Sequence, residues 1–270
     1  MKASALFAPL LALASCAHRA DFTEATRAPA SSLSEQVLIV SDFDDTAKPT
    51  NVGNKCAAVV NALFGKHLFA GYSTLMRGWK PETGPRLEIL SNSPTLLRGR
   101  VLKTLERNNL EDARIHLRRL PKPGEAHKTD TLLNLAYRNR ADLILMGDDV
   151  EKDPQVFEAV ANEVGSDRFT IYMHLVRGDR ALPDGQIPYV TTFDVAYEEV
   201  LRGRYDVAHA EALGQELLAS FYDPTAFKTL LPNFVFCPRR SYVDCNRSES
   251  TALNAVCQAL ENAVVNACLA

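Results

Sequence analysis

The stretch VLIVSDFDDTAKPT, residues 37–50, joins an apolar run to a dense group of carboxylates. Val37 to Val40 are typical of a buried strand, and Asp42, Asp44 and Asp45 follow within a few positions. Three like charges at this spacing repel one another unless a cation lies among them. Mg²⁺ suits such a position because it binds one or two carboxylates and keeps its other positions for water and phosphate oxygens. The stretch therefore predicts a strand that ends at a site for a divalent cation.

Short apolar runs alternate with helical patterns along the rest of the chain. Strands are predicted at 37–41, 87–90, 115–117, 143–146 and 169–174, and helices at 95–108, 129–138 and 154–164. This alternation predicts an α/β fold, a Rossmann-like three-layer sandwich around a central parallel sheet. Ligands bind at the carboxyl ends of the strands in such sheets, so the residues that follow each strand are the first candidates for a site.

Polar residues follow three of the predicted strands. The first strand precedes the Asp42 group, the second is followed by Ser91 and Asn92, and the fourth by Asp148 and Asp149. Asp148 would supply the second wall of a metal site opposite the Asp42 group. This set provides an oxygen nucleophile and ligands for a divalent cation, as phosphoryl transfer requires.

Four motifs in this order resemble those of the haloacid-dehalogenase-like superfamily. DFDDT resembles its D-x-D-x-T signature, and LEILS resembles the strand that ends in Ser or Thr. EAHKTDTLLNL supplies an early helical Lys, and GDDVEKD supplies Gly-Asp followed by a further acid. The matched side chains are those of Asp42, Asp44, Thr46, Ser91, Lys128, Asp148 and Asp153.

A finer resemblance is to the phosphatidate phosphatases of the actin-patch-protein type, over about residues 36 to 180. SDFDDTAKPT, SNSP and GDDVEKDP are similar to three motifs of that family. One position departs from the pattern, because Asp149 stands where the family usually has Ser. This departure adds a possible metal ligand.

The resemblance implies a two-step hydrolysis of a phosphomonoester that depends on Mg²⁺. Asp42 would attack phosphorus, and Asp44 would act as general acid and then general base. Ser91 and Lys128 would hold phosphoryl oxygens. The metal ligands would be Asp42, the backbone carbonyl of Asp44, and Asp148. The supporting residues would be Thr46, Asn92, Asp149 and Asp153, while Asp45 is interpreted as a turn or capping residue.

The first residues predict export and attachment to a membrane. Residues 1–15 resemble a signal peptide, and Leu13-Ala14-Ser15-Cys16 resembles the lipobox in which the cysteine is lipidated. Residues 16–35 would then be a tether, and Ala17 resembles the pattern that sorts lipoproteins to the outer membrane. We expect an outer-membrane lipoprotein that faces the periplasm and is held in a leaflet through Cys16. An ordinary cleaved signal, giving a soluble periplasmic or secreted protein, is the alternative.

Four cysteines crowd the last 34 residues, which is typical of disulfides in an oxidising compartment. Cys257 and Cys268 lie on one predicted helix, over 251–268, about 16 Å apart along its axis, so they cannot bond each other. The preferred pairing is nested, Cys245 with Cys257 and Cys237 with Cys268. The crossed pairing is the alternative, as are four reduced cysteines. Residues 193–220 read as further helix, and residues 193–270 as a helical extension of a 36–192 phosphatase core.

Three functions are compared. The first is an Mg²⁺-dependent phosphatase of phosphatidate-like lipids, and the second is an envelope phosphatase of soluble phosphomonoesters or nucleotides. The third is a non-catalytic envelope binding protein. Residues 51–83 form a small insert after the first strand, whose apolar side chains either cover the site as a lid or pack on the sheet. The net charge of −3 gives no global basic field for nucleic acid.

Overall fold

Parallel strands form one sheet at the centre of the described chain. The computed structural model describes residues 37–51, 67–81, 85–178, 180–240 and 243–270. The strands are β1 (Val37–Asp42), β2 (Arg86–Pro94), β3 (Arg114–Arg118), β4 (Asp142–Asp148), β5 (Phe169–His174) and β6 (Gln186–Tyr189). They lie in the order β3-β2-β1-β4-β5-β6, and neighbours are parallel. The predicted α/β fold with a central parallel sheet is confirmed, and β6 is a strand that the sequence analysis missed.

Helices connect the strands and continue after β6. They are α1 (Tyr72–Arg77), α2 (Arg98–Arg107), α3 (Gly124–Arg138), α4 (Asp153–Val164), α5 (Thr192–Leu201), α6 (Val207–Ser220), α7 (Pro224–Leu230) and α8 (Thr251–Leu269). Two boundaries differ from prediction. α3 begins at Gly124 and not at 129, because Pro123 adopts an extended conformation directly before the first turn. The helix predicted over 193–220 is broken near Gly203, whose φ of 77° ends α5 in the left-handed region.

The two faces of the sheet bury different side chains. Val37, Ile39 and Ile144 point into one apolar cluster, and Leu38 and Val40 into the other. Successive side chains of a strand point to opposite faces, so an unbroken apolar run indicates a strand that is buried on both. α3 and α4 cover the face of Leu38, while side chains of α1, α2, α5, α6 and α8 join the cluster of Val37. The helices therefore form the two outer layers of the predicted three-layer arrangement.

The C-terminal helices cover the same core as the sheet. Phe193 of α5, Leu213 of α6 and Leu260 of α8 belong to the cluster that contains Val37. Two disulfides hold this region, Cys237–Cys268 with Cα atoms 5.3 Å apart and Cys245–Cys257 with Cα atoms 5.5 Å apart. The nested pairing preferred from the sequence is confirmed, and it fixes the 237–245 segment on α8.

The order of the strands places a topological switch next to β1. The chain passes from β1 outward to β2 and β3, and then returns to β4 on the other side of β1. The crossovers on the two sides of β1 therefore leave a crevice at the carboxyl ends of β1 and β4, where ligands bind in open α/β sheets. Asp42 is the last residue of β1 and Asp148 the last of β4.

Several predictions fall on residues that the structure does not describe. The signal segment 1–15, Cys16, the tether up to residue 35 and residues 52–66 of the insert lie outside the described ranges. Within those ranges, no helix has both the length and the apolar composition needed to cross a membrane.

Removing either disulfide should lower stability by an amount that depends on the loop it closes. The bridges join residues 31 and 12 positions apart. We expect a C237S/C268S variant to lose about 3.7 kcal/mol of unfolding free energy and C245S/C257S about 2.8 kcal/mol, because the longer loop restricts the unfolded chain more. Urea unfolding of both variants against wild type measures the difference. Equal stability of all three proteins would contradict a structural role for the bridges.

Candidate active site

Three carboxylates and one ammonium group meet at the carboxyl ends of β1 and β4. Oxygens of Asp42, Asp148 and Asp153 all lie within 4.8 Å of one another. Lys128 Nζ lies 2.6 Å from Asp42 Oδ1 and 2.5 Å from Asp153 Oδ1. All four side chains are buried. We refer to Asp42, Lys128, Asp148 and Asp153 as the acidic cluster.

Burial and mutual repulsion control the charge of the acidic cluster. Burial raises the pKa of Asp42 well above its usual value, and Lys128 opposes this shift while Asp153 and Asp148 add to it. Burial likewise raises the pKa of Asp148, and Asp153 raises it further. Burial alone would lower the pKa of Lys128, but Asp153 and Asp42 raise it above its ordinary value. Lys128 therefore stays charged, and the carboxylates gain from any further positive charge.

The acidic cluster fits a divalent cation. With all carboxylates ionised, three negative charges face one ammonium and leave an excess of two negative charges. Asp153 Oδ2 is buried and has no hydrogen-bond partner among the residues that the structure describes. Oxygen ligands of this kind are preferred by hard cations such as Mg²⁺. The residues present thus provide both the charge and an unsatisfied ligand atom for such an ion.

Neighbouring residues fix the carboxylates of β4 and α4. Asp148 Oδ1 accepts a hydrogen bond from Val150 N at 2.8 Å, and Asp148 Oδ2 accepts one from Thr46 Oγ1 at 3.3 Å. Gly147 leaves room for Asp153, since a Cβ atom at Gly147 would stand 2.8 Å from Asp153 Oδ2. The Gly-Asp pair of the fourth motif is explained by this close approach. Thr46 lies where it can link the β1 loop to Asp148.

Asp44 lies beside the acidic cluster but has different partners. Its Oδ1 accepts from Thr50 Oγ1 at 2.8 Å, and its Oδ2 accepts from Ser91 Oγ at 3.2 Å and Ser93 Oγ at 3.0 Å. Asp44 is half-buried, whereas Asp42 is buried. The structure therefore brings Asp44 and Ser91 together next to Asp42. The contact of Ser93 with Asp44 was not predicted from the sequence, although the S-x-S spacing in SNSP was a signal for it.

The remaining acid of the first motif organises the loop after β1. Asp45 Oδ1 accepts from the backbone N–H groups of Thr50 and Asn51, each within hydrogen-bond distance. The φ of Asp45 is 62°, a left-handed conformation that Asp tolerates better than most residues. Lys48 of the same loop is buried, and burial lowers its pKa, with Asp44 opposing and Arg100 adding to the shift. The predicted turn role of Asp45 matches these contacts.

Asp149 points away from the acidic cluster. Its Oδ1 accepts from Val176 N at 2.8 Å and Arg177 N at 2.7 Å, and its Oδ2 accepts from Gly178 N at 2.6 Å. Both carboxylate oxygens are thus engaged by the backbone of the segment after β5. Asp149, which the sequence suggested as a possible metal ligand, instead holds that segment through three backbone hydrogen bonds. We call this arrangement the clamp.

Asn92 joins two loops at the mouth of the site. Its Nδ2 donates to Glu151 Oε2 at 2.9 Å, and its backbone oxygen accepts from Arg118 Nε at 2.9 Å. The loop after β2 is therefore tied both to the loop after β4 and to the end of β3. Glu151 was not among the residues singled out from the sequence, since an acid in a charged loop gives no signal of its partner.

The described part of the insert packs on the sheet. Its apolar side chains are buried and are those of Leu68, Phe69, Tyr72, Leu75, Met76 and Trp79. Most of them belong to the larger apolar cluster. Of the two alternatives for residues 51–83, packing on the sheet describes residues 67–81.

Replacing Asp149 should destabilise the fold because three backbone N–H groups would lose a charged acceptor. We expect Asp149→Asn to lower the free energy of unfolding by about 3 kcal/mol. Asp112→Asn, at an exposed acid in the loop before β3, should change it by less than about 0.5 kcal/mol. Thermal and urea unfolding measure both variants. An Asp149→Asn protein as stable as wild type would refute the clamp.

Comparison with known protein families identifies a match to most of the sheet. The family model described as "Phosphatidate phosphatase APP1, catalytic domain" matches residues 37–174. No curated protein and no solved structure matches the chain. The matched range covers just over half of the chain and runs from the first residue of β1 to the last residue of β5, so it contains the whole acidic cluster. The chain therefore belongs to the family of phosphatidate phosphatase APP1 catalytic domains.

Proposed function

We propose that this protein is an Mg²⁺-dependent phosphatase that hydrolyses phosphatidate-like lipids through an aspartyl-phosphate on Asp42. The observation that carries the proposal is the buried acidic cluster, at a topological switch and within the matched domain. Membership of the family supports phosphatase activity of the phosphatidate type. The metal, the mechanism and the individual roles are parts of the proposal.

The first step forms a bond between an Asp42 oxygen and phosphorus. The bond from phosphorus to the ester oxygen breaks, and Asp44 gives that oxygen a proton, so that diacylglycerol leaves. The pairing of Asp42 with Lys128 at 2.6 Å supports this role, since the ammonium opposes the rise in pKa that burial imposes on the nucleophilic carboxylate. Asp44 lies on the more exposed side, held by Ser91 and Ser93, where a leaving group can reach it.

The second step releases inorganic phosphate and restores Asp42. Asp44 takes a proton from water, the water oxygen bonds to phosphorus, and the bond from phosphorus to Asp42 breaks. Ser91 and Lys128 hold phosphoryl oxygens during both steps. Mg²⁺, when bound by Asp42, Asp148 and the backbone carbonyl of Asp44, supplies positive charge that offsets the negative charge of the phosphoryl group. Asp153 holds Lys128 in place through Oδ1, and its Oδ2 would accept a hydrogen bond from water on the metal.

We also propose that the domain is exported and attached to the outer membrane through Cys16. The support is the signal-like segment before Cys16 together with two disulfides, which persist in oxidising compartments. Cys16→Ser should move the protein from the membrane fraction to the soluble periplasmic fraction. A variant that stays in the membrane fraction to the same extent as wild type would reject lipidation as the anchor.

Asp42→Asn should abolish phosphate release while keeping the fold. The amide is nearly isosteric with the carboxylate but is a very weak nucleophile, so we expect turnover to fall by at least about a thousandfold. Phosphate release is measured on dispersed phosphatidate, nucleotides and p-nitrophenyl phosphate, with Mg²⁺ or with EDTA, and Asp167→Asn is an exposed control. Near wild-type turnover would exclude Asp42 as nucleophile, and rapid nucleotide hydrolysis with inert lipid would favour a soluble substrate.

Mg²⁺ should stabilise the folded protein through the acidic cluster. At a concentration about 100 times the dissociation constant, we expect a gain of about 2.7 kcal/mol in unfolding free energy. Asp148→Asn should remove this gain without lowering the stability of the metal-free protein, because one of three repelling carboxylates is lost. Asp130→Asn, at an exposed acid, should keep the gain. A full Mg²⁺ effect in Asp148→Asn would place the metal elsewhere.

A further inference from the structure

Two leucines are exposed at the edge of the sheet that carries the acidic cluster. Leu96, in the short 3₁₀ turn after β2, is 77% exposed, and Leu120, in the loop after β3, is 59% exposed. Both follow carboxyl ends of strands, as Asp42 and Asp148 do. Large side chains that are exposed in one place, next to a site, indicate an interaction surface more often than single scattered ones do.

The register of the sheet places these two leucines after adjacent strand ends. Pro94 of β2 pairs with Arg118 of β3, and each leucine is two residues beyond its member of that pair. Paired strands are about 4.8 Å apart and two residues extend at most about 7 Å, so the Cα atoms of the two leucines lie within roughly 19 Å of each other at the same edge of the sheet. Arg118 also bonds the backbone oxygens of Asn92 and Lys122, which fixes the loop of Leu120 to the strand end that carries Ser91.

Positive charges surround the two leucines. Residues 95–100 read TLLRGR and residues 118–122 read RRLPK, so five cations and no acid stand in these two stretches, although the chain as a whole has a net charge of −3. Arg98, Arg100 and Arg119 are exposed, while Lys122 pairs with Asp130 at 2.5 Å. We call residues 95–100 and 118–122 the basic rim.

The opposite edge of the sheet provides a contrast. Tyr137, near the end of α3, is 64% exposed, and Arg138 and Arg140 follow it. Acids are interspersed there, because Tyr137 bonds Glu163 and Asp142 begins β4. That edge therefore has acids among its own residues, whereas the two stretches of the basic rim contain cations alone, one of which, Lys122, is paired with Asp130.

We propose that the basic rim docks on an anionic bilayer surface. Leu96 and Leu120 enter the boundary between head groups and acyl chains, and the arginines of the rim lie among the anionic head groups. This geometry turns the carboxyl edge of the sheet, and with it Asp42, towards the leaflet. The inference rests on the proposed function, because an enzyme that hydrolyses a lipid must take its substrate from a bilayer. Docking itself does not require hydrolysis and can be measured without it.

Co-sedimentation of the full-length Cys16→Ser protein with vesicles tests the affinity, because a lipid on Cys16 would hold every variant on the vesicles; this protein is the reference and the parent of the variants. The vesicles contain phosphatidylcholine, with or without phosphatidylglycerol, and no phosphatidate. We expect L96S/L120S to bind at least about tenfold more weakly than the reference. Each of two charge substitutions in R98Q/R119Q should cost roughly fivefold on the anionic vesicles only. The matched controls Tyr137→Ser and R138Q/R140Q, on the opposite edge, should bind as the reference does.

Hydrogen exchange with and without anionic vesicles tests the location of contact, whatever the N-terminal segment contributes to affinity. Peptides that cover the basic rim should become protected, and peptides that cover Tyr137 should not. Unprotected rim peptides in vesicle-bound protein would overturn the proposal, as would unaltered binding of the rim variants. Protection without vesicles, together with a dimer by light scattering, would assign the surface to a second copy and overturn it too. Rim docking without phosphatidate hydrolysis would reject the proposed function alone.

Discussion

The ion pairs of Lys128 with Asp42 and Asp153 are the interaction on which the rest of the site depends. Three buried carboxylates within 4.8 Å of one another repel strongly, and a single ammonium at 2.6 Å from Asp42 and 2.5 Å from Asp153 compensates only in part. The four side chains come from β1, α3, β4 and α4. They meet because the sheet order places β4 directly beside β1. The fold therefore determines which charges must balance one another in the site.

The acids that follow β1 and β4 have different partners in the structure. Asp42 and Asp148 face Lys128 and the place for a cation, whereas Asp45 and Asp149 accept hydrogen bonds from backbone N–H groups of neighbouring loops. Backbone amides stabilise these carboxylates without bringing further cations into the site. Asp44 is different again, since hydroxyl groups hold it at the more exposed side of the cluster. Each loop acid thus has a distinct partner despite the similar sequence context.

The sequence predicted the parts of the fold that depend on local pattern. Short apolar runs identified β1 to β5, and the spacing of the cysteines allowed the nested pairing that the structure contains. β6 was missed because QIPY is short and carries a proline, which is tolerated at a sheet edge but weakens the strand signal. The sequence did not decide whether Leu75 and Trp79 belong to a lid over the site or to the core, and the structure buries both. An apolar side chain carries no information about which surface covers it.

The sequence predicted which residues form the site better than it predicted which side chains contact each other there. The motifs indicated Asp42, Lys128 and Asp148 from their places in the chain, but the contact of Ser93 with Asp44 and the orientation of Asp149 depend on loop geometry. Asp149 was predicted as a possible metal ligand because it is an acid and directly follows Asp148. Only the approach of the segment after β5 directs its carboxylate to backbone amides instead.

The most direct measurement of the central claim is chemical trapping of the covalent intermediate during phosphatidate hydrolysis. Borohydride reduces an acyl phosphate on aspartate to homoserine, and peptide mass spectrometry locates the modified residue. The account predicts homoserine at position 42, formed only when substrate is present and absent from protein without it. Steady phosphate release with reduction at another aspartate, or with no reduction at any residue, would contradict the assignment of Asp42 as the group that carries the phosphoryl intermediate.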